Sequence, residues 1–278
     1  MKKSLIYIVC ISVIALCFAG CRQSDPEDVL GRVDDVVTFA GRKWNVKSSN
    51  LPVGPGPNYF SPFYSDVWVD EHGWMHLHIA KHDGIWYSSE VIGQDNLGYG
   101  TYTFTVQMDP MSFAENVVFG LFTWDDNTFM SDGNSEVDIE FSKWGDTASV
   151  TPTTFSVQPV NFGTFYAERT REVNVPLDLL KGVSTHRFNW TDTLITWESY
   201  AGDQVSGSPI GTWSFNLNHP PRRKQDGSLL SDPIVIPAPG NTTNARINLW
   251  CLPYQIAGPN NEQEHEVVIR DFIYEPMQ

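Results

Sequence analysis

The sequence predicts an all-β chain, either a sandwich or a barrel, on three observations. Polar and apolar residues alternate with period two along most of the chain, as in Thr101-Tyr102-Thr103-Phe104-Thr105-Val106, which turns Tyr102, Phe104 and Val106 inward. Turn-forming clusters separate these runs: Asp70-Glu71-His72-Gly73, His82-Asp83-Gly84, Asp95-Asn96-Leu97-Gly98 and Thr191-Asp192. The one helix candidate is a single turn from Pro176 to Lys181. Many strands with almost no helix leave sheet-on-sheet packing as the way to bury a core.

The elements follow in chain order. Lys2-Lys3 precede an apolar run from Leu5 to Phe18, the pattern of an export signal over residues 1–20. The run is short for a membrane span. It ends in Phe18-Ala19-Gly20-Cys21, and small residues directly before a Cys resemble the bacterial lipoprotein processing box, which makes Cys21 the expected lipidated first residue. Residues 21–36 are polar and acidic and read as a tether. The β domain is expected over 37–276. Its strands read at 65–69, 74–80, 85–91, 101–106, 116–124, 135–141, 154–159, 165–173, 186–191, 193–200, 245–251 and 266–274. Long Pro- and Gly-containing loops at 50–64 and 217–244 are expected to rim a groove.

Composition narrows the function classes. About 250 residues remain after the leader, the size of one large β domain, and ten Trp with sixteen Phe supply a substantial core. The net charge of −15 argues against nucleic acid as a partner. It also disfavours heavily sulfated polysaccharides, although Arg222-Arg223-Lys224 forms a local basic site. Cys10 and Cys17 leave with the leader and Cys21 takes lipid, so Cys251 alone remains and no internal disulfide is expected. No Cys/His cluster has zinc spacing. His76 and His78 alternate with Met75, Leu77 and Ile79 and read as surface-strand residues, with His72 in the preceding turn. No metal is expected.

The most informative segment is Glu136-Val137-Asp138-Ile139-Glu140. In a strand its three carboxylates share one face, while Val137, Ile139 and Phe141 share the other. Like charges lined up in this way destabilise a fold unless they are used, and glycosidic bond cleavage uses two carboxyls flanking the bond. Residues four apart in a strand lie about 13 Å apart at Cα, and a retaining glycosidase needs its carboxyls about 5–5.5 Å apart. Two Glu side chains leaning together on a concave strand close most of that gap, with Asp138 between them to hydrogen-bond either. Crowded carboxylates raise one another's pKa, which keeps an acid protonated at working pH. An open groove on such a face suits a polymer. Trp124 and Trp144 flank the acidic strand, and Trp86 and Trp250 lie on other strands, as candidate sugar-stacking residues.

With these residues in view, the chain resembles glycoside hydrolase family 16. Ser135-Glu136-Val137-Asp138-Ile139-Glu140-Phe141 matches the unbulged Glu-x-Asp-x-Glu pattern of the lichenase type. Further similarity spans most of 37–275: Gly98-Tyr99-Gly100-Thr101-Tyr102, Val117 to Trp124, His186 to Trp190 with Ile195-Thr196-Trp197, and Ile247-Asn248-Leu249-Trp250. The resemblance implies a concanavalin A-like jelly-roll sandwich of two antiparallel sheets with a concave substrate groove, and cleavage of internal β-linkages with retention. It implies Glu136 as nucleophile, Glu140 as acid/base and Asp138 between them. It also implies sugar contacts at Asn58, Glu90, Trp124, Gln158, Asn248 and Trp250. No cofactor is required, though a structural calcium near Asp271 occurs in some members. The chain departs from lichenases in three places, and these leave the substrate open. Gly133-Asn134-Ser135 stands where they carry a Trp, and Ile92 stands where they carry an Arg two residues after the groove Glu. The stretch from Glu140 to Gln158 is longer and contains Lys143-Trp144-Gly145.

The expected function is therefore a retaining endo-β-glycanase acting on a polysaccharide, a β-glucan first, at the bacterial cell envelope. The chain is expected to be a monomer, lipid-anchored to the outer membrane or cell surface. A transglycosylase of the same fold and a glycan-binding lipoprotein without turnover are the alternatives.

Overall fold

A computed structural model describes residues 36–128, 135–150, 152–160, 169–216, 236–252 and 257–278. The leader, Cys21, the tether and the Arg222-Arg223-Lys224 run lie outside the described residues. The strands are β1 (Val36–Phe39), β2 (Arg42–Val46), β3 (Tyr59–Phe60), β4 (Val67–Val69), β5 (Met75–His82), β6 (Ile85–Gly93), β7 (Gly100–Met108), β8 (Val117–Trp124), β9 (Val137–Ser142), β10 (Thr153–Val157), β11 (Thr170–Val173), β12 (Gly182–Trp190), β13 (Leu194–Ala201), β14 (Gly211–Asn216), β15 (Asn244–Cys251) and β16 (His265–Pro276); the single helical turn is α1 (Leu177–Leu180).

The strands form two faces of a jelly-roll sandwich. The first runs β11-β10-β9-β8-β15-β6 and is extended by β2 and β1; the second runs β4-β5-β16-β7-β12-β13-β14. The two join where Ala80–His82 of β5 pair with Ile85–Tyr87 of β6 across the Asp83-Gly84 turn. Asp83 and Gly84 both adopt positive φ, 50° and 86°, the conformation a tight hairpin demands. Pairing is antiparallel except for the short parallel contact of β3 with β6.

The alternation read from the sequence fills the space between the sheets. Val137, Ile139 and Phe141 are fully buried, as are Tyr102, Phe104 and Val106 facing them. Phe119 stacks on Phe141 at 5.7 Å, and Trp197 stacks on Trp213 at 4.6 Å. Two polar features cross this core. His186 is buried between the hydroxyls of Ser184 and Ser199, each at 2.8 Å, and burial pushes its pKa down to about 3, so the ring is neutral. Trp197 Nε1–H donates to the Asp138 carbonyl at 3.0 Å, fastening β13 to β9.

The structure corrects several boundaries. β1, β2, β3 and β14 were not among the expected strands: β1, β2 and β3 are only four, five and two residues long, and β1 and β14 lie at sheet edges where one side stays open and alternation is weak. β12 begins at Gly182 rather than 186, because Ser184 and Thr185 pair with Val106 and Thr105 despite their polar side chains. Within the expected strand 165–173, the described residues hold β11 at Thr170–Val173. β9 begins at Val137, so Glu136 stands one residue ahead of it.

Candidate functional site

The site grows out of the register of the first sheet. Glu140 pairs with Thr154 on β10 and with Gly120 on β8. Thr154 pairs with Glu172 on β11, Gly120 with Asn248 on β15, and Asn248 with Glu90 on β6. Paired residues share a face, so Glu172, Thr154, Glu140, Gly120, Asn248 and Glu90 form one row across six strands. Two residues along, Asp138 heads a second row through Phe122, Arg246 and Ile92. Glu136 keeps the phase. Its carbonyl accepts from Gln158 N–H at 3.0 Å, which carries the β9–β10 ladder one step beyond the strand.

The carboxyls sit in a desolvated floor. Burial pushes the pKa of Asp138 up, partly offset by the hydrogen bond from Gln158 Nε2 to Asp138 Oδ2 at 3.0 Å. Burial, and then the neighbouring charge of Asp138, push Glu140 well above the ordinary carboxylate range. The two titrate as a pair, and both are held above the ordinary carboxylate range. A carboxyl that keeps its proton more tightly than usual, in phase with a carboxyl four residues earlier, is equipped for proton delivery to a leaving oxygen.

Beside Glu140, Gly120 leaves the floor open. A Cβ there would meet Asn248 Oδ1 at 2.5 Å, so the missing side chain is what admits the Asn248 amide. That oxygen is buried and has no hydrogen-bond partner, leaving an acceptor for a ligand hydroxyl. Glu90, only 1% exposed, is held by Lys47 Nζ at 3.0 Å and by Arg246 Nη1 at 3.6 Å. Burial lowers the Lys47 pKa, against the opposing pull of Glu90. Arg246 also reaches Asp126 at 3.2 Å and lies over the Trp124 ring at 5.4 Å, while Trp124 Nε1–H donates to Asp126 at 2.6 Å. Trp250 is nearly buried on the same face of β15, two residues from Asn248.

Not every expected contact residue is turned toward a ligand. Asn58 donates through Nδ2 to the carbonyls of Pro55 and Cys251, each at 2.8 Å, and accepts from Ser88 Oγ at 3.1 Å. Its amide staples the 50–64 loop to β15 and β6. Gln158 engages Asp138 with its nitrogen, and its oxygen accepts from Val160 N–H at 2.8 Å, so it orients the central carboxyl.

Sequence reasoning missed Lys47 and Arg246. The arginine absent at Ile92 is supplied by the residue paired with it on the next strand, Arg246, a substitution visible only once the β6–β15 register is known.

Asp271 lies at an irregularity of β16 on the second sheet, and its Oδ1 accepts from Phe272 N–H at 2.8 Å. Among the described residues, no group of three or more His, Cys, Asp or Glu side chains is arranged to hold a metal ion. His76 instead meets Glu266 at 2.6 Å and stacks on Trp68 at 4.3 Å.

No protein-family model matches the sequence, and no curated protein matches it. Solved structures do resemble it. A Bacillus licheniformis β-glucanase superposes with a TM-score of 0.57 at 15% identity, over 84% of this chain and 92% of that one. A β-1,3-1,4-glucanase (lichenase) from a mouse hindgut metagenome gives 0.52 at 14%, over 84% and 93%. A Mycobacterium tuberculosis protein described as an immunostimulatory antigen and pseudo β-1,3-glucanase gives 0.57 at 16%, over 83% and 89%. At these identities the likeness establishes the fold: this chain has the β-sandwich of β-glucanase-type glycoside hydrolases.

Proposed function

We propose that this protein is a retaining endo-β-glycanase that hydrolyses internal β-linkages of a polysaccharide, with a β-glucan as the first candidate. The observation that carries the reading is the Asp138–Glu140 pair, the first buried and the second half-buried, with both carboxyl pKa values raised and Glu136 in phase one residue ahead of the strand. The shared fold adds support but does not by itself imply turnover, since one neighbour is described as a pseudo β-1,3-glucanase. A glycan binder gains nothing from clustered, desolvated carboxyls, which favours turnover over binding alone.

In the proposed double displacement, Glu140 gives its proton to the glycosidic oxygen while Glu136 attacks the anomeric carbon. Glu140, now ionised, takes a proton from water as that water releases the sugar from Glu136. Asp138 tunes Glu140 by its charge and is held by Gln158. Asn248 Oδ1 accepts a sugar hydroxyl over Gly120, and Trp124 and Trp250 offer ring surface on the β8–β15 side. The wider proposal includes export through the N-terminal signal and lipid attachment at Cys21, which places the enzyme on the bacterial cell envelope. Mass spectrometry of the native N-terminus tests that part.

The deciding experiment is incubation with mixed-linkage β-glucan, laminarin, agarose, carrageenan and xyloglucan, read by reducing ends and product size. NMR follows the first-formed anomer. Retained products, and near-complete loss of activity in Glu136→Gln and Glu140→Gln, are expected. An inverted first product would remove the nucleophile role of Glu136. Full activity in Glu140→Gln would remove its role as acid/base.

A further inference from the structure

The proposed nucleophile stands where its sheet gives out. The β8–β9 register runs through Gly120↔Glu140, Leu121↔Ile139 and Phe122↔Asp138 and stops there, and β9 begins at Val137, so Glu136 lies one residue outside the strand. On the β10 side its carbonyl still accepts from Gln158 N–H. On the β8 side the next rung would oppose Thr123 and Val137, and there a side chain takes over from the backbone. The Thr123 hydroxyl accepts from Val137 N–H at 3.1 Å and donates to the Ser135 carbonyl at 3.1 Å. One oxygen therefore holds the two peptide groups that flank Glu136, the planes whose rotation defines its φ and ψ.

A hydroxyl at this position is otherwise a burden. Thr123 is fully buried, opposite Ala245 and two residues after Leu121 on the same face, both members of the apolar core. Valine has nearly the same shape and would bury there without desolvating a hydroxyl, so packing alone gives no reason for threonine. The segment it holds is anchored in turn. Ser135 is also fully buried; its N–H donates to Thr128 Oγ1 at 3.0 Å and its Oγ donates to the Ala238 carbonyl at 2.6 Å.

We propose that Thr123 is a positioning residue for Glu136: by fixing the peptide groups on both sides of it, the buried hydroxyl aims the Glu136 carboxylate at the anomeric carbon without itself touching substrate. The inference rests on the double-displacement reading above. Attack needs the carboxylate oxygen about 3–3.5 Å from the anomeric carbon and aligned with the breaking bond. A glutamate side chain is long, so a small rotation of the backbone at its Cα becomes a large displacement at the carboxyl. Glu140 has no need of such a device, because backbone pairing continues on both sides of it, with Gly120 on β8 and Thr154 on β10. Glu136 has lost one of those two supports, and Thr123 replaces it.

Thr123→Val removes the hydroxyl and keeps the shape; Thr123→Ser keeps the hydroxyl. With whichever glycan the full chain cleaves, Thr123→Val should lower kcat at least about tenfold with KM within about twofold, while Thr123→Ser stays within about threefold of wild type in both. Thr123→Cys, whose thiol hydrogen-bonds weakly, should fall between them and carries the same comparison if Thr123→Val does not fold. The clamp itself is read without substrate, as the NMR hydrogen-exchange rate of the Val137 amide relative to that of Ile139 in the same strand. That ratio should rise about tenfold in Thr123→Val, the effect of one lost hydrogen bond, and stay near wild type in Thr123→Ser. An unchanged ratio in Thr123→Val overturns the clamp. Wild-type kcat in folded Thr123→Val, or equal losses in the Val and Ser variants, overturns the positioning role and leaves Glu136 as nucleophile, which Glu136→Gln tests separately. If wild type cleaves none of the five polysaccharides, the glycanase reading fails, and the exchange ratio alone decides whether Thr123 fixes the backbone at Glu136.

Discussion

Replacing Asp138 by Asn should make the protein more stable, and only above acidic pH. Burial lifts the Asp138 carboxyl from 3.8 to about 7, and each pKa unit corresponds to about 1.4 kcal/mol. In the unfolded chain this carboxyl loses its proton near its ordinary value; in the folded protein it holds the proton until near neutrality. Between those values the folded state binds more protons, so its stability falls as pH rises. Below about pH 4 both states are protonated and the penalty is absent; above about pH 7 it is complete, at roughly 4 kcal/mol if Asp138 titrates alone. Sharing with Glu140 reduces that, and about 2–4 kcal/mol is the expected gain for Asp138→Asn at pH 8. Asn cannot ionise, yet it retains an oxygen to accept from Gln158 Nε2. Urea unfolding followed by Trp fluorescence at pH 3.5 and pH 8 measures the gain. Activity adds a second readout: Glu140 loses the charge that helps raise its pKa, so the alkaline limb of the rate profile should move to lower pH in the variant. A stability difference equal at both pH values, or a less stable variant at pH 8, would refute the argument.

Other perturbations probe the rest of the floor. Gly120→Ala places a Cβ 2.5 Å from Asn248 Oδ1; it should lower kcat/KM at least tenfold and stability by about 1–3 kcal/mol, and wild-type kinetics would deny Asn248 a role. Arg246→Met leaves buried Glu90 with Lys47 alone; a stability loss of about 2–4 kcal/mol is expected, partly restored by adding Glu90→Gln, as urea unfolding of the single and double variants will reveal. Trp197→Phe removes the donor to the Asp138 carbonyl; it should cost about 1–3 kcal/mol and reduce kcat more than it changes KM, while equal changes in both would assign Trp197 to packing alone.

Much of this was legible in the sequence for a definite reason. In β9 the acidic and apolar positions alternate without interruption, so the burial of Val137, Ile139 and Phe141 and the shared face of Asp138 and Glu140 follow from the pleat. β7 was as clear. The edge strands β1 and β14 were not, because a strand open on one side carries only part of the signal. At the site, residues adjacent in sequence were foreseeable, whereas those brought together by register were not. Ile92 in sequence suggested a missing guanidinium; the pairing Ile92↔Arg246 supplies it. Asn58 was expected at a sugar, and its amide is spent on holding a loop, which only long-range contacts reveal. Trp144 appeared in the sequence as a candidate aromatic, but its positive φ and its indole bond to Thr154 on β10 are features that no residue pattern announces.

The indole of Trp197 reaches across the interior to the backbone of β9, and on its own sheet it lies against Trp213. Distorting a sugar ring toward its transition state pushes back on whatever supports the carboxyls. A lone pleated sheet would flex under that reaction force. In the proposed glycanase that load passes through the indole into the second sheet, which acts as a brace. The stiffness beneath the carboxyls is thus tied to aromatic packing on β13 and β14 of the opposite sheet, and substitutions there should be felt as looseness at the carboxyls before they are felt as unfolding.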